Sequence, residues 1–557
     1  MSTENQGSNH SKSVLYISTT VMGLLIFWGA FFPGVLASAS GVALDWVIET
    51  FGWFYMLLLS AFVLIGLGLA VSPFGKIKLG KNEDEPEHSW LSWVGMLFAS
   101  GLGVGFVFFG VAEPLLYYLD TPVGLQPETV QSAEAGLRYG VFHWGLHAWG
   151  AFSIVGLTLA YVQYRKNRPA LISSAFYPLL GNRVNGWIGR MIDILAVIAT
   201  CAGVATTFGL SALQISGGLS YVTALPNNIY VQLVVIAVVT ILFIFSAVKG
   251  INKGIKRLSN INLVIAGFLL LFVLFTGPTL FILENFVSTL GGYVSSIVSM
   301  SLTMTPFSES EWLGTNTIFF WAWHMSWSPF IGLFIARISK GRTVREFMAG
   351  VLLVPTILAV IWFTTFGGSG LYFEMYGNAG LASIVADEVE VAMFVLLEQL
   401  PLTALISGIA IILVLIFFVT SADSAAFVLG SMTSGGNLNP GFKLKVLWGA
   451  LIAGTAAVLL ISGEGGLDAL QTAALTAALP FAFILIFMII AVFIMMGRDH
   501  AYEKRKRRTQ QLEYIKSEVK DDLRDDLYEE LKEEVYEEVK QEIQEEQKSN
   551  ESNEDKP

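Results

Sequence analysis

The feature that most constrains this chain is the recurrence of apolar runs near 20 residues long, each sufficient to cross ~30 Å of hydrocarbon as a helix. In lipid every backbone N–H and C=O must find its partner within the protein. A chain built from such runs therefore folds as bilayer-spanning helices. An outer-membrane barrel would instead be written in ~10-residue segments of alternating hydrophobicity. The composition agrees: hydrophobic residues make up 54% of the 557, charged residues 14%, and the mean hydropathy is +0.62. The expected fold is an all-α polytopic membrane protein with twelve spans, at about 14–38, 51–73, 90–111, 139–164, 187–211, 228–248, 261–283, 316–338, 346–372, 401–424, 444–462 and 467–496. The lone cysteine, Cys201, lies inside an apolar run, so no intramolecular disulfide can form. The first run starts near Val14, exceeds a signal-peptide core and lacks a small-residue cleavage site, which makes it a retained span.

The loops test this count. Lys76, Lys78 and Lys81 follow span 2; Arg165, Lys166, Arg168, Arg183 and Arg190 lie between spans 4 and 5. Lys249, Lys253, Lys256 and Arg257 follow span 6, and Arg337, Lys340, Arg342 and Arg345 follow span 8. Lys443 and Lys445 precede span 11, and Lys504 to Arg508 follow span 12. The alternate loops hold almost no Lys or Arg, with Arg138 at the edge of span 4 as the exception. The positive-inside rule then puts both termini in the cytoplasm of a cell-membrane protein.

Outside the spans, residues 1–13 form a polar cytoplasmic tail expected to be disordered. Segment 284–315 carries no Lys or Arg and repeats Phe286, Leu290, Tyr293 and Ile297 at helical spacing, as an amphipathic helix on the outer surface would. Segment 373–400 is external and acidic. The tail 497–557 is different material and carries most of the net charge of −11, which gives no support to nucleic-acid binding. Its Lys504–Arg508 cluster is suited to anionic lipid, or serves as an ordinary positive-inside anchor. Beyond it Leu512, Ile515, Val519, Leu523, Leu527, Leu531, Val535, Val539 and Ile543 recur among acidic residues. Steps of four exceed 3.6, so this stripe drifts around the helix and a regular left-handed coiled coil is not expected. A regulatory element, an oligomer contact and a solvated tail all remain open for it.

Four stretches carry chemistry. Trp321, Trp323, His324 and Trp327 fall within seven residues of one apolar run, and indole faces attract cations that cannot donate hydrogen bonds. Span 3 contains Gly101, Gly103 and Gly105; alternating glycines either let a membrane helix open, freeing carbonyls for a cation and N–H groups for a carboxylate, or serve close helix packing. Span 4 carries His143, Trp144, His147, Trp149 and Phe152, with Trp149 and Phe152 on one helical face. Trp144 stands where a zincin would need Glu, which disfavours a metal. Span 10 ends in Thr420, Ser421 and Asp423; the two hydroxyls either ligate an alkali cation or bond back to the preceding turn. Neither a nucleophile–base–acid set nor a phosphate loop is present, so an enzyme is not expected, and no cofactor is called for.

Together these motifs resemble the betaine/choline/carnitine transporter family. The resemblance rests on Ala99 to Gly105 followed by Glu113 and Pro114, on His143 to Trp149, on Trp321 to Phe330 continuing to Ser339, and on Thr420 to Ser424, over roughly residues 14 to 500. It implies two inverted five-helix repeats, LeuT-like, in spans 3–7 (residues 90–283) and 8–12 (residues 316–496), after spans 1–2 (residues 14–89), in a homotrimer with one pathway per protomer. Its aromatic substrate box falls on Trp144, Trp149, Phe152, Trp321, Trp323, His324 and Trp327, beside Gly101, Gly103 and Gly105. Phe152 stands where Tyr is usual, and His324 where Trp is usual. The coupling-ion site implied falls on Ala99, Leu102, Phe417, Thr420 and Ser421, which favours Na⁺. A second Na⁺ site matches Thr200 and Phe330. Val204 replaces an expected Thr there, so either Thr207 substitutes or coupling is weaker.

The expected function is Na⁺-coupled import of a zwitterionic compatible solute for osmoprotection by alternating access, glycine betaine first and ectoine second. Choline-type relatives carry Asp at the position of Gly105, and its absence favours a zwitterion over a net cation. The alternatives are a choline or carnitine carrier, a substrate exchanger, and, from another class, a membrane osmosensor signalling through its C-terminal tail.

Overall fold

The computed structural model describes residues 2–101, 103–122, 124–249, 252–307, 311–463 and 467–554. It divides into a membrane body, Met1–Ile494, and a separate tail unit, Met495–Pro557. Among the described residues there is no β-strand, and the one isolated bridge pairs Lys78 with Thr343. The long helices are α1 (Ser2–Phe31), α2 (Pro33–Val71), α3 (Trp90–Gly101), α4 (Val104–Leu119), α5 (Val130–Trp144), α6 (Leu146–Ala160), α7 (Trp187–Val222) and α8 (Ile229–Lys249). They continue as α9 (Asn252–Thr276), α10 (Thr279–Leu302), α11 (Phe319–Ile338), α12 (Val344–Gly377), α13 (Thr403–Met432), α14 (Phe442–Ser462) and α15 (Asp468–Glu554). Eleven helices among the described residues are long and apolar enough to cross a membrane. The protein is an all-α polytopic membrane protein.

Several boundaries differ from the sequence reading, each for a local reason. The tail 1–13 is not a disordered lead-in: helix begins at Ser2, and buried His10 bonds through Nε2 to Asp193 Oδ2 at 2.9 Å. Spans 1 and 2 meet at Phe32–Pro33, and the loop expected at 39–50 is helical, because Pro33 fits the first turn of α2 where its missing N–H has no partner to lose. Span 7 stops at Thr276, where Gly277 and Pro278 interrupt it, so α10 starts before residue 284 and is itself apolar enough to span. Span 3 is two helices, with Gly103 extended at φ −110° and ψ −174° between them, one of the two uses left open for the alternating glycines. Span 4 also breaks, at Gly145 (φ −94°, ψ −133°), a break the sequence reading did not anticipate. Span 10 runs on to Met432, which places Thr420, Ser421 and Asp423 inside a helix rather than at its end.

Two spans form the core of the body. In Val130–Arg165 and Gly314–Ile338, 94% of the apolar window is buried, against 22% for His10–Phe31 and 17% for Thr279–Leu302. Helices α6 and α11 cross where Gly156 meets Gly332, and a Cβ at Gly332 would lie 2.5 Å from Val155 Cγ1 and 3.0 Å from the Gly156 backbone nitrogen. Small residues at a membrane crossing let backbones approach and gain van der Waals contact. Gly332→Leu is therefore expected to destabilise the protein by at least ~2 kcal/mol through overpacking, read as a lower thermal midpoint in detergent. Gly23→Ala, with open space around it, should leave the midpoint unchanged or raised. Helix α12 starts with a reciprocal cap between Thr343 and Glu346, a device worth ~1 kcal/mol. Just before it, the Arg342 guanidinium stacks 4.3 Å over Trp93 and donates to the His88 carbonyl at 2.8 Å. Burial there lowers its pKa from the ordinary arginine range, and nearby Glu346 opposes the shift.

Candidate functional site

The broken helices and the α6–α11 crossing gather aromatic rings from α5, α6 and α11. Trp144 stands perpendicular to His324 at 5.3 Å and to Trp323 at 5.7 Å. Phe152 lies 5.7 Å from both His324 and Trp327. Trp323 and Trp327, one turn apart, stack at 6.1 Å with 19° between planes. Trp149 reaches this group through Phe152, at 5.4 Å. The glycine segment lies alongside: a Cβ at Gly103 would contact the Trp327 ring, and one at Gly105 would overlap the Trp144 ring.

Trp321 does not join them. Two residues before Trp323 on a 3.6-residue helix, it points nearly the opposite way, stacks on His147 at 5.1 Å and directs Nε1 to Met56 Sδ at 3.1 Å. Sequence density put four residues of this run in one box, and helical periodicity removes one.

Polar atoms inside the ring cluster lack well-aligned partners. Both ring nitrogens of His324 and Nε1 of Trp327 are buried without a hydrogen bond. A buried donor left unpaired costs ~1–3 kcal/mol, so such groups call for a water, an ion or a ligand. Trp144 differs, because its Nε1 donates to Glu113 Oε1 at 2.7 Å. Aromatic rings can hold a cationic head by π attraction, and indole or imidazole N–H groups an anionic end by hydrogen bonds.

The residues expected to bind cations lie on neighbouring elements. Leu102 lies outside the described residues, and of Ala99 and Gly101 only the helical backbone is described. On α13, the Thr420 hydroxyl reaches the carbonyls of Ile416 at 2.9 Å and Phe417 at 3.1 Å, while Ser421 is partly exposed. A hydroxyl that spends its proton on the helix keeps its oxygen lone pairs free for a cation. On α7, Thr200 bonds back to Ala196 at 2.7 Å and Thr207 to Gly203 at 3.3 Å, seven residues apart on one face. The α7–α11 contact is fixed by Trp323 Nε1 donating to the Gly203 carbonyl at 3.2 Å. Phe330 sits 5.9 Å from Trp327 and also lines a cavity of about 840 Å³, together with Arg337, Lys340, Asp423, Ser424 and Lys445. Asp423 Oδ1 is buried without a partner at that cavity. Phe330 thus stands between the ring cluster and this cavity.

Two contributors escaped the sequence reading. Asn262 of α9, with its amide oriented to satisfy both groups, donates to Leu413 O at 3.2 Å and accepts from Phe417 N at 3.1 Å. Those two groups are an i, i+4 pair of α13, so the amide engages the ladder one turn before Thr420, the kind of insertion that bends helices. Glu113 anchors both His143 and Trp144. Each carried a signal: a lone amide and a lone acid inside apolar runs are costly unless partnered.

A family model of betaine/carnitine/choline family transporters (BCCT) matches residues 13–501. The chain is 47% identical over 499 residues to the glycine betaine transporter OpuD of Bacillus subtilis (strain 168), a match covering 89% of this chain and 96% of that protein. It is 43% identical over 492 residues to the ectoine/hydroxyectoine transporter of Virgibacillus pantothenticus, covering 88% and 97% respectively. The glycine betaine transporter of Acinetobacter baylyi (strain ATCC 33305 / BD413 / ADP1) is 43% identical over 444 residues, covering 79% of this chain and 66% of that one. With a match over nearly its whole length, the chain belongs to the betaine/carnitine/choline family of transporters, as a multi-pass membrane carrier and not an enzyme.

Proposed function

We propose that this transporter imports a zwitterionic compatible solute, glycine betaine foremost and ectoine next, coupled to Na⁺, for osmoprotection. The observation that carries this reading is the ring cluster of Trp144, Phe152, Trp323, His324 and Trp327 with three buried, unpartnered ring nitrogens. The rings suit a quaternary or delocalised cation, and the Trp327 N–H with the single N–H of a neutral His324 suits the carboxylate attached to it. A net cation such as choline would gain from a facing acid. Gly105 supplies none, and both Glu113 oxygens already have partners. Relatives named for glycine betaine and ectoine transport agree with this choice.

The coupling ion is assigned to the backbone carbonyls of Ala99, Leu102 and Phe417 and the hydroxyls of Thr420 and Ser421. A second ion is assigned to Thr200, Thr207 and Phe330. One charge moving down 100 mV releases ~2.3 kcal/mol, and a tenfold Na⁺ gradient adds ~1.4 kcal/mol per ion. Two ions supply roughly 7 kcal/mol, the equivalent of about a 10⁵-fold gradient, whereas one supplies only several hundred-fold. The cycle runs by alternating access between two inverted five-helix repeats, in a homotrimer with both termini cytoplasmic and the Lys504–Arg508 cluster near anionic lipid.

The test is uptake of labelled glycine betaine and ectoine by proteoliposomes, with and without Na⁺, in competition with choline, carnitine and proline. Uptake that is equal without Na⁺ would sink the coupling, and tight competition by choline would sink the zwitterion preference. His324→Trp should move preference from ectoine toward glycine betaine by roughly fivefold, because indole binds a quaternary ammonium ~1 kcal/mol better and donates from a different place.

A further inference from the structure

Glu113 and Pro114 are part of the motif that carries the family resemblance. In the structure Glu113 is fully buried in α4, at 1% exposure, with no lysine or arginine among its recorded hydrogen-bond partners. A carboxyl in that position is costly, and an apolar side chain would fill the space without the cost. Both of its oxygens are engaged. Oε1 accepts from Trp144 Nε1 at 2.7 Å, and Oε2 lies 2.7 Å from His143 Nδ1. The far nitrogen of the same imidazole, Nε2, lies 3.0 Å from Thr317 Oγ1. Thr317 belongs to the π-helical turn Gly314–Ile318 that leads directly into α11. Such turns concentrate at functional sites.

We infer that Glu113 is a positioning residue for the substrate cage: it clamps the Trp144 indole and, through His143 and Thr317, links that wall to the helix bearing Trp323, His324 and Trp327. Indole nitrogen is a donor only, so its partner must be an acceptor placed in the ring plane. Glu113 supplies that acceptor at one edge of the ring. Gly105 meets the opposite edge, where a Cβ would overlap the six-membered ring. Pinned at both edges, the indole keeps its perpendicular approach to His324 and Trp323. Pre-organisation of this kind raises affinity by removing the cost of ordering the ring on binding. The inference rests on Trp144 being part of the cage.

The experiment measures substrate KM, Vmax and the Na⁺ concentration for half-maximal uptake with the full-length protein in liposomes. Glu113→Gln keeps an acceptor for Trp144 and can donate to an unprotonated His143, so its KM should stay within threefold of wild type. Glu113→Leu should raise KM at least tenfold, with Vmax within threefold and Na⁺ activation unchanged. Combined with Trp144→Ala it should do no further harm. A wild-type KM for Glu113→Leu, or effects that simply multiply in the double variant, would overturn the inference. Should Glu113→Leu fail to accumulate in the membrane, Thr317→Val decides: a KM raised threefold or more at unchanged Vmax supports the clamp, and an unchanged KM overturns it. A wild-type KM for Trp144→Ala alone would remove Trp144 from the cage, which defeats the underlying reading in a distinguishable way.

Discussion

Replacing Thr420 and Ser421 together by alanine is expected to raise the Na⁺ concentration for half-maximal uptake by roughly 100-fold. Each hydroxyl oxygen facing a cation contributes about 1.5–3 kcal/mol, so two contribute ~3 kcal/mol at the low end. The cost falls on ion binding rather than on the helix, because the Thr420 hydroxyl bonds to carbonyls that α13 already pairs within itself. Removing such a back-bond changes helix stability little. Thr420→Ser, which keeps the oxygen, should stay within threefold. The measurement is uptake against Na⁺ at saturating substrate, and an unchanged Na⁺ dependence in the double variant would refute the site. Asn262→Leu offers a companion readout, since its amide holds the Leu413–Phe417 turn immediately before these hydroxyls.

Trp327→Ala should raise the substrate KM by roughly 100-fold. A desolvated cation–π contact contributes ~2 kcal/mol, and the Nε1–H, buried and unpartnered, adds a hydrogen bond worth ~1 kcal/mol once a carboxylate is present. Truncating a buried tryptophan also opens a cavity and costs about 3–5 kcal/mol of stability, so Ala alone would confound folding with binding. Trp327→Phe separates them: it keeps an aromatic face against Phe152 and Trp323, loses the N–H with a small part of the ring surface, and should raise KM about fivefold. Thermal midpoints of both variants in detergent show which losses are structural. A wild-type KM for Trp327→Phe together with full competition by non-carboxylate substrates would mean that the indole N–H meets no carboxylate.

Much of this was legible in the chain. The run lengths reflect bilayer thickness and need no tertiary information, and spans 5, 6, 9 and 11 start within two residues of the helices observed. The alternating glycines at 101–105 left an opened helix and close packing both possible, and the structure shows a break at Gly103 together with tight packing of Gly105 on Trp144. The tryptophan cluster pointed to an aromatic site. The misplacements have one cause: hydropathy has no sharp edge at a helix end. It did not register the Phe32–Pro33 junction, the Gly277–Pro278 stop, the two further turns of α13 or the break at Gly145, all of which depend on local dihedrals and on neighbours.

What the sequence determined by itself is the solvent this protein folds in, the helical class that solvent enforces, and the residue types available for its site. Which of those residues face one another was decided only by tertiary structure. Trp321 and Trp323 are near neighbours in sequence, yet one packs on His147 and Met56 while the other joins Trp144 and Trp327. Glu113 looked like an isolated acid until α4 and α5 packed and brought His143 and Trp144 to its two oxygens. The physical reason is range. Helix formation in a membrane is settled by backbone hydrogen bonds four residues apart, whereas the site is settled by contacts between segments up to hundreds of residues apart, whose partners no local pattern specifies.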